Sequence, residues 1–169
     1  MHDPRALSPC VCKKIYEMDM NFYPAKKVAP CLWIGSRKDS EDAAFMRRHD
    51  IRMIVNCSND IPLRFPDIKS YRVPVDDSPD SAGTMAKHLP ITSLLIDDVT
   101  RYGHNVLVHC YAGMNRSATV AAAYLMFNEG LGPDAAMGRI KRCKPECFQP
   151  MNFGSSLRAW EKKMNSRRR

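Results

Sequence analysis

The sequence predicts an α/β fold, with a central, mostly parallel sheet flanked by helices and a phosphate-binding loop between a strand and a helix. Three observations carry this. From residue 28 onward, short apolar runs and helical segments follow as strand, helix, strand, strand, helix, strand, loop, helix, an order that builds a sheet covered on both faces. The β-branched run Val106-Leu107-Val108 leads into His109 and Cys110, and an Ala-rich stretch of strong helix-forming character, Ser117 to Glu129, follows. Between them Gly113 permits a tight loop whose backbone N–H groups, together with the helix start, can converge on an anion.

Taken in order, Val28 to Gly35 reads as a strand ending at a glycine turn. Ser40 to His49 follows as a helix, with Ser40 as N-cap and Glu41 and Asp42 in its first turn. Asp50 to Cys57 is a central strand, Pro62 and Pro66 break the chain into a loop, and Tyr71 to Val75 is a further strand. Both strands aim at the edge beyond the carboxyl ends, where ligands of open α/β sheets sit. A helix is expected from Thr84 to Tyr102, either kinked at Pro90 or beginning near Leu89, and Gly103 stops it. Pro133 starts a helix over Asp134 to Lys144, Pro145 and Pro150 bound a loop, and Phe153 to Met164 is the last helix. The chain therefore divides into an N-terminal extension (1–27), a domain (28–164) and a basic tail (165–169). A short helix is expected in the extension around Lys13 to Met20, and its apolar side chains are expected to pack on the domain or on a partner.

At 169 residues the chain is long enough for one domain with a substantial core. Its 44% hydrophobic content excludes a disordered chain. The longest apolar run, Ala118 to Phe127, is too short to cross a bilayer. No charged-then-apolar leader opens the sequence, which reads against secretion. Seven cysteines, an odd count at irregular spacing, read against a disulfide framework and for a reducing compartment, cytoplasmic and/or nuclear. Cys10-x-Cys12 and the pair Cys143 and Cys147 lack partners at zinc spacing, so neither a metal nor another cofactor is expected. The net charge of +8 gathers partly in Arg139, Lys141, Arg142 and Lys144 and partly near the C-terminus. Such a surface draws phosphorylated proteins, and it is also compatible with anionic lipid or nucleic acid.

The loop defines a chemistry. Cys110 lies at the centre of the cradle, where a helix N-terminus and a nearby cation favour the nucleophilic thiolate. Arg116 offers a planar fork of donors matched to two phosphate oxygens. A sulfur nucleophile beneath a cup for a tetrahedral dianion points to phosphoryl transfer to cysteine. A cysteine serving only as a small core residue would leave Gly113, Arg116 and Ser117 unexplained.

The string His109-Cys110-x-x-Gly113-x-x-Arg116-Ser117 resembles the signature of cysteine-dependent protein phosphatases, and Ala112-Gly113-Met114-Asn115-Arg116-Ser117 is most similar to their dual-specificity (VH1-like) branch. Pro30 to Ser36, Ala123-Tyr124-Leu125-Met126 and Leu157 to Glu161 are similar to that branch as well. The resemblance implies a dual-specificity phosphatase-like fold and hydrolysis of phosphotyrosine and phosphoserine/phosphothreonine in proteins through a phosphocysteine intermediate. It implies Cys110 as nucleophile, Arg116 as binder of phosphate and transition state, and Ser117 as the hydroxyl that helps sulfur leave. His109 tunes the loop, the N–H groups of Tyr111, Ala112, Gly113, Met114, Asn115 and Arg116 hold the phosphate, and Asn115 braces the loop. In Val73-Pro74-Val75-Asp76-Asp77 the family pattern places the general acid/base at Asp77, with Asp80 the second choice. Cys57 is either a core cysteine or a redox partner for Cys110. Some viral relatives dimerise through an N-terminal helix, so the extension is a candidate homodimer contact. The usual Pro-Asn before the last helix is replaced by Gln149-Pro150-Met151-Asn152, which leaves the bracing contact of that Asn open.

Two other classes compete. An RNA 5′-phosphatase or phosphoinositide phosphatase uses the same loop chemistry, although the RNA-acting branch has Thr-Gly where this chain has Ser117-Ala118. A phosphoprotein-binding module would have lost the cysteine, the arginine or the acid.

Overall fold

The structure, a computed structural model, describes residues 23–169. The helix expected around Lys13 to Met20 lies outside the described residues, as does most of the extension assigned to dimer contact. Five strands form one sheet in the order β1-β2-β5-β3-β4: β1 (Lys26–Ala29), β2 (Leu32–Gly35), β3 (Ile51–Asn56), β4 (Lys69–Arg72) and β5 (Asn105–His109). Strands β2, β5, β3 and β4 run parallel, and β1 pairs antiparallel with β2. The single strand expected over 28–35 is thus a hairpin. Pro30, which has no N–H to donate, and Cys31, with φ of 62°, turn the chain back on itself.

Among the described residues six α-helices are interleaved with the strands or follow them: α1 (Arg37–Glu41), α2 (Ala43–Arg48), α3 (Ala82–Thr100), α4 (Arg116–Glu129), α5 (Pro133–Cys143) and α6 (Gly154–Arg167). Two expectations are corrected here and a third is narrowed. The helix expected over 40–49 is two helices. Ser36, not Ser40, caps the first in a reciprocal box with Asp39, while Asp42 accepts from the N–H groups of Ala44 and Phe45 and starts the second. A short side chain that bonds its own backbone interrupts a helix as readily as it begins one. The strand expected over 71–75 begins two residues earlier and ends at Arg72, ahead of Pro74. Of the two alternatives for the third helix, the start near Leu89 is excluded: α3 begins at Ala82 and carries Pro90 inside it. Met85 and Leu89 before the proline, and Thr92, Ser93 and Ile96 after it, are buried on one side. That shared packing outweighs the roughly 3 kcal/mol an interior proline costs an isolated helix. The last helix continues past Met164 into the basic end, to Arg167.

Side chains on the parallel strands alternate between two cores, as the pleat requires. Leu32, Ile34, Met53, Val55, Val106 and Val108 join the large cluster that contains buried residues of α3, α4, α5 and α6. Ile54 and Leu107 face the other way, onto Phe45 and Met46 of α2. Every residue from Ser117 to Met126 of α4 is buried, which explains its small, alanine-rich sequence: the helix is packed on all sides. Register completes the frame. Gly35, His109 and Asn56 are paired across β2, β5 and β3, and Asn56 pairs in turn with Arg72. The strands therefore end in one row, and the segments that leave them share one edge of the sheet.

Candidate active site

The loop between β5 and α4 is shaped by where its carbonyls go. The Tyr111 carbonyl accepts from the Arg37 N–H at 3.0 Å, and that of Met114 accepts from the Phe148 N–H at 2.8 Å. The Gly113 carbonyl faces the Cys147 thiol, with sulfur 3.8 Å away. With these oxygens bonded outward to neighbouring segments, the N–H groups of Ala112, Met114, Asn115 and Arg116 make no hydrogen bond among the described residues. Such a run of free amides beside a helix N-terminus is an anion site. Gly113 is required twice: its φ is +70°, and a Cβ there would lie 2.6 Å from the carbonyl oxygen of Gly35.

Cys110 is buried at the base of this cup. Its sulfur accepts from the Gly113 N–H at 3.3 Å and lies 3.3 Å from the Ser117 Oγ, whose hydroxyl can donate to a thiolate. The half-buried Arg116 anchors Nη1 on the Val75 carbonyl at 3.0 Å, while its Nε is buried without a protein partner. The guanidinium thus keeps donors for phosphate oxygens. His109 is buried on β5, its Nδ1 without a hydrogen-bond partner. Burial pushes its imidazole down to about 4; a backbone contact with Cys110 opposes this, and the charges of Arg72 and Arg116 reinforce it. His109 is therefore neutral at ordinary pH and does not serve as a proton carrier there.

The three candidate acids separate in space. Asp76 turns to the Asn59 amide at 2.7 Å, and its N–H donates to the Ser81 Oγ. Asp80 stands exposed in a single 3-10 turn, Pro79–Ser81. Asp77 reaches the loop, its Oδ1 accepting from the Asn115 Nδ2 at 2.7 Å. The Asn115 side chain thus goes to Asp77 rather than bracing its own loop. The Val75 carbonyl, which holds Arg116, belongs to the same strand exit, so the segment that carries Asp77 also orients the arginine.

Four supports were not foreseen in the sequence: the Arg37 N–H, the Phe148 N–H, the Cys147 thiol and the Val75 carbonyl. Three are backbone groups with no residue signature. Phe148 sits at φ of 67° and Asn152 accepts from the Gly154 N–H, so the loop is braced from residue 148 while Asn152 serves the start of α6. Burial pushes the Cys147 thiol up to about 12, which keeps it a neutral S–H donor. Cys57 is fully buried, and burial, then the neighbouring Cys110, raises its thiol well above the ordinary value.

A buried cysteine, an arginine with unpartnered donors and a run of unpaired amides on one loop are arranged as a phosphoester hydrolase that uses cysteine would need them. Comparison with known proteins narrows the class. The family model described as "Dual specificity phosphatase, catalytic domain" matches residues 32–163, and the chain belongs to that family. It is 33% identical over 144 residues to dual specificity phosphatase 28 of Mus musculus, covering 85% of this chain and 87% of that protein. Against the dual specificity protein phosphatase Mpk3 of Drosophila melanogaster the identity is 29% over 150 residues, and the chain spans only 36% of that longer protein. Among solved structures, human dual specificity phosphatase 28 superposes with a TM-score of 0.76 at 32% identity, covering 84% of this chain and 95% of that one. A mouse putative dual specificity phosphatase, solved as a zinc tungstate complex, gives 0.78 at 29% identity over 99% of this chain and 96% of that one. The family is one of protein tyrosine/serine/threonine phosphatases, and this chain is such an enzyme. Among the described residues no helix is long and apolar enough to cross a membrane.

Proposed function

We propose that the chain hydrolyses phosphotyrosine and phosphoserine/phosphothreonine in proteins through a phosphocysteine intermediate formed on Cys110. The observation that supports this most is the convergence on one loop of the Cys110 sulfur, the Ser117 hydroxyl at 3.3 Å and, through Asn115, the Asp77 carboxyl. In the first step the Cys110 thiolate attacks phosphorus in line, the bond from phosphorus to the ester oxygen breaks, and Asp77 gives that oxygen its proton. In the second step a water attacks phosphorus and loses a proton to Asp77. The sulfur–phosphorus bond breaks, inorganic phosphate departs, and the Ser117 hydroxyl donates to the leaving thiolate. Arg116 and the loop amides hold the equatorial oxygens in both steps with donors already in place. A reducing compartment, cytoplasmic or nuclear, suits a sulfur nucleophile, and the five described cysteines are free thiols.

The test is hydrolysis of an aryl phosphate and of matched phosphotyrosine, phosphoserine and phosphothreonine peptides. Cys110→Ser is expected to lose turnover and Asp77→Asn to fall about a hundredfold, within the range for a lost general acid. An Asp77→Asn variant as fast as wild type would move the acid to Asp80. A wild type inert on every substrate would leave the phosphoprotein-binding reading and the RNA or phosphoinositide phosphatase reading.

A further inference from the structure

Asn115 stands at the N-cap position of α4, where an asparagine ordinarily turns its side-chain oxygen onto the free N–H groups of the first turn. Here it makes no such bond. Its backbone carbonyl is tied into the helix twice, by the Thr119 N–H at 2.9 Å and the Thr119 hydroxyl at 2.8 Å. The side chain is 2% exposed, and Oδ1 is buried without a partner. Because the group it faces is a carboxylate, the atom turned to Asp77 is the amide nitrogen. The helix thus forgoes a cap, and the amide serves an exposed aspartate on a segment from another strand. That contact is the one side-chain hydrogen bond Asp77 makes among the described residues.

We infer that Asn115 is the positioning residue for the general acid: its amide holds Asp77 Oδ1 and leaves Oδ2 aimed to carry the proton. The inference rests on the reading of Asp77 as that acid. The chemistry of the pair suits the task. An amide donor carries no charge, so it bonds the carbonyl oxygen of the neutral acid in the first step and the carboxylate in the second. A lysine or arginine in its place would hold the carboxylate ionised and oppose donation. With one oxygen occupied, the proton leaves and returns through the other. It passes to the ester oxygen as that bond breaks, and it comes back from the attacking water.

A positioning role has a readout that a merely structural role lacks, because a good leaving group needs little help from an acid and a poor one needs much. The experiment measures kcat/KM for wild type, Asn115→Ser, Asp77→Asn and the double variant on phenyl phosphate and on an activated nitrophenyl phosphate. Serine is too short to reach Asp77 yet is a favoured N-cap, so Asn115→Ser is expected to fold at least as stably as wild type. The phenyl-to-nitrophenyl ratio is expected to fall about tenfold in Asn115→Ser and about a hundredfold in Asp77→Asn, with the double variant no lower than Asp77→Asn alone. If Asp77→Asn lowers the ratio and Asn115→Ser reduces both substrates equally or neither, the positioning role is overturned while the acid assignment stands. If Asp77→Asn itself leaves the ratio unchanged, the acid assignment falls and takes the positioning role with it. Should Asn115→Ser unfold, Asn115→Ala is read by the same ratio and the same outcomes decide.

Discussion

Residues 110–116 and residues 75–81 face one point from two strand ends, and they are held very differently. In the first, the carbonyl of Tyr111 is engaged by Arg37 and those of Gly113 and Met114 by the neighbouring pair Cys147 and Phe148, and Cys110, Gly113 and Asn115 are buried. In the second, Asp76, Asp77 and Asp80 are exposed, and Asp77 is tied down by a single side-chain bond. The difference follows from what each does in the proposed mechanism. Stabilising charge on a phosphoryl group needs dipoles that do not reorganise, whereas a proton carrier must reach a leaving group that enters and departs with each substrate.

The most forceful way to break this contrast is to disturb the rigid side. Gly113→Ala places a side chain at positive φ and against the Gly35 carbonyl. It should cost about 3 kcal/mol in denaturant stability and about a hundredfold in kcat. A variant within threefold of wild-type turnover would mean that the loop does not act as a fixed cup.

The second perturbation charges the floor beneath the loop. The folded value of His109 lies near 4, below the ordinary 6.5, so between those values the unfolded chain binds a proton that the native state does not. Stability from this residue is complete above pH 6.5 and is lost as pH falls toward 4, by about 3 kcal/mol in all. Urea midpoints for wild type and His109→Gln across this window are the check, the variant being expected to show the shallower decline. Identical declines would place the acid sensitivity elsewhere.

The smallest expected effect lies on the exposed side. Ser81→Ala removes the hydroxyl that receives the Asp76 N–H at 3.2 Å, next to the acid rather than on it. Turnover of phenyl phosphate should change by about threefold or less, with stability within about 0.5 kcal/mol, as for a surface substitution. A loss as large as that of Asp77→Asn would show that the acid segment depends on its own turn more than on Asn115.

Much of this molecule was legible in its residues because the signals were local. The run Val106 to Val108, Gly113, and the Ala-rich stretch from Ser117 announce strand, loop and helix through periodicity and conformational freedom, and Cys110 with Arg116 announces the chemistry. The loop's spacing also reflects geometry that a short segment carries alone. Where sequence reading went astray, nonlocal packing or competing caps were the cause: the cap moved from Ser40 to Ser36, and one strand became the β1–β2 hairpin; at Pro90, packing decided between the two alternatives the sequence left open. The choice among Asp76, Asp77 and Asp80 could be ranked by pattern, but only the fold separates them, sending Asp76 to Asn59 and Asp77 to Asn115. The backbone supports from Arg37, Val75 and Phe148 exist only once remote segments meet, and a backbone amide or carbonyl leaves no mark in the side-chain sequence. The residues thus determine by themselves what the loop can bind and attack. Which acid serves it, and what holds the loop open toward phosphate, depends on the strand register that ends Gly35, His109, Asn56 and Arg72 in one row.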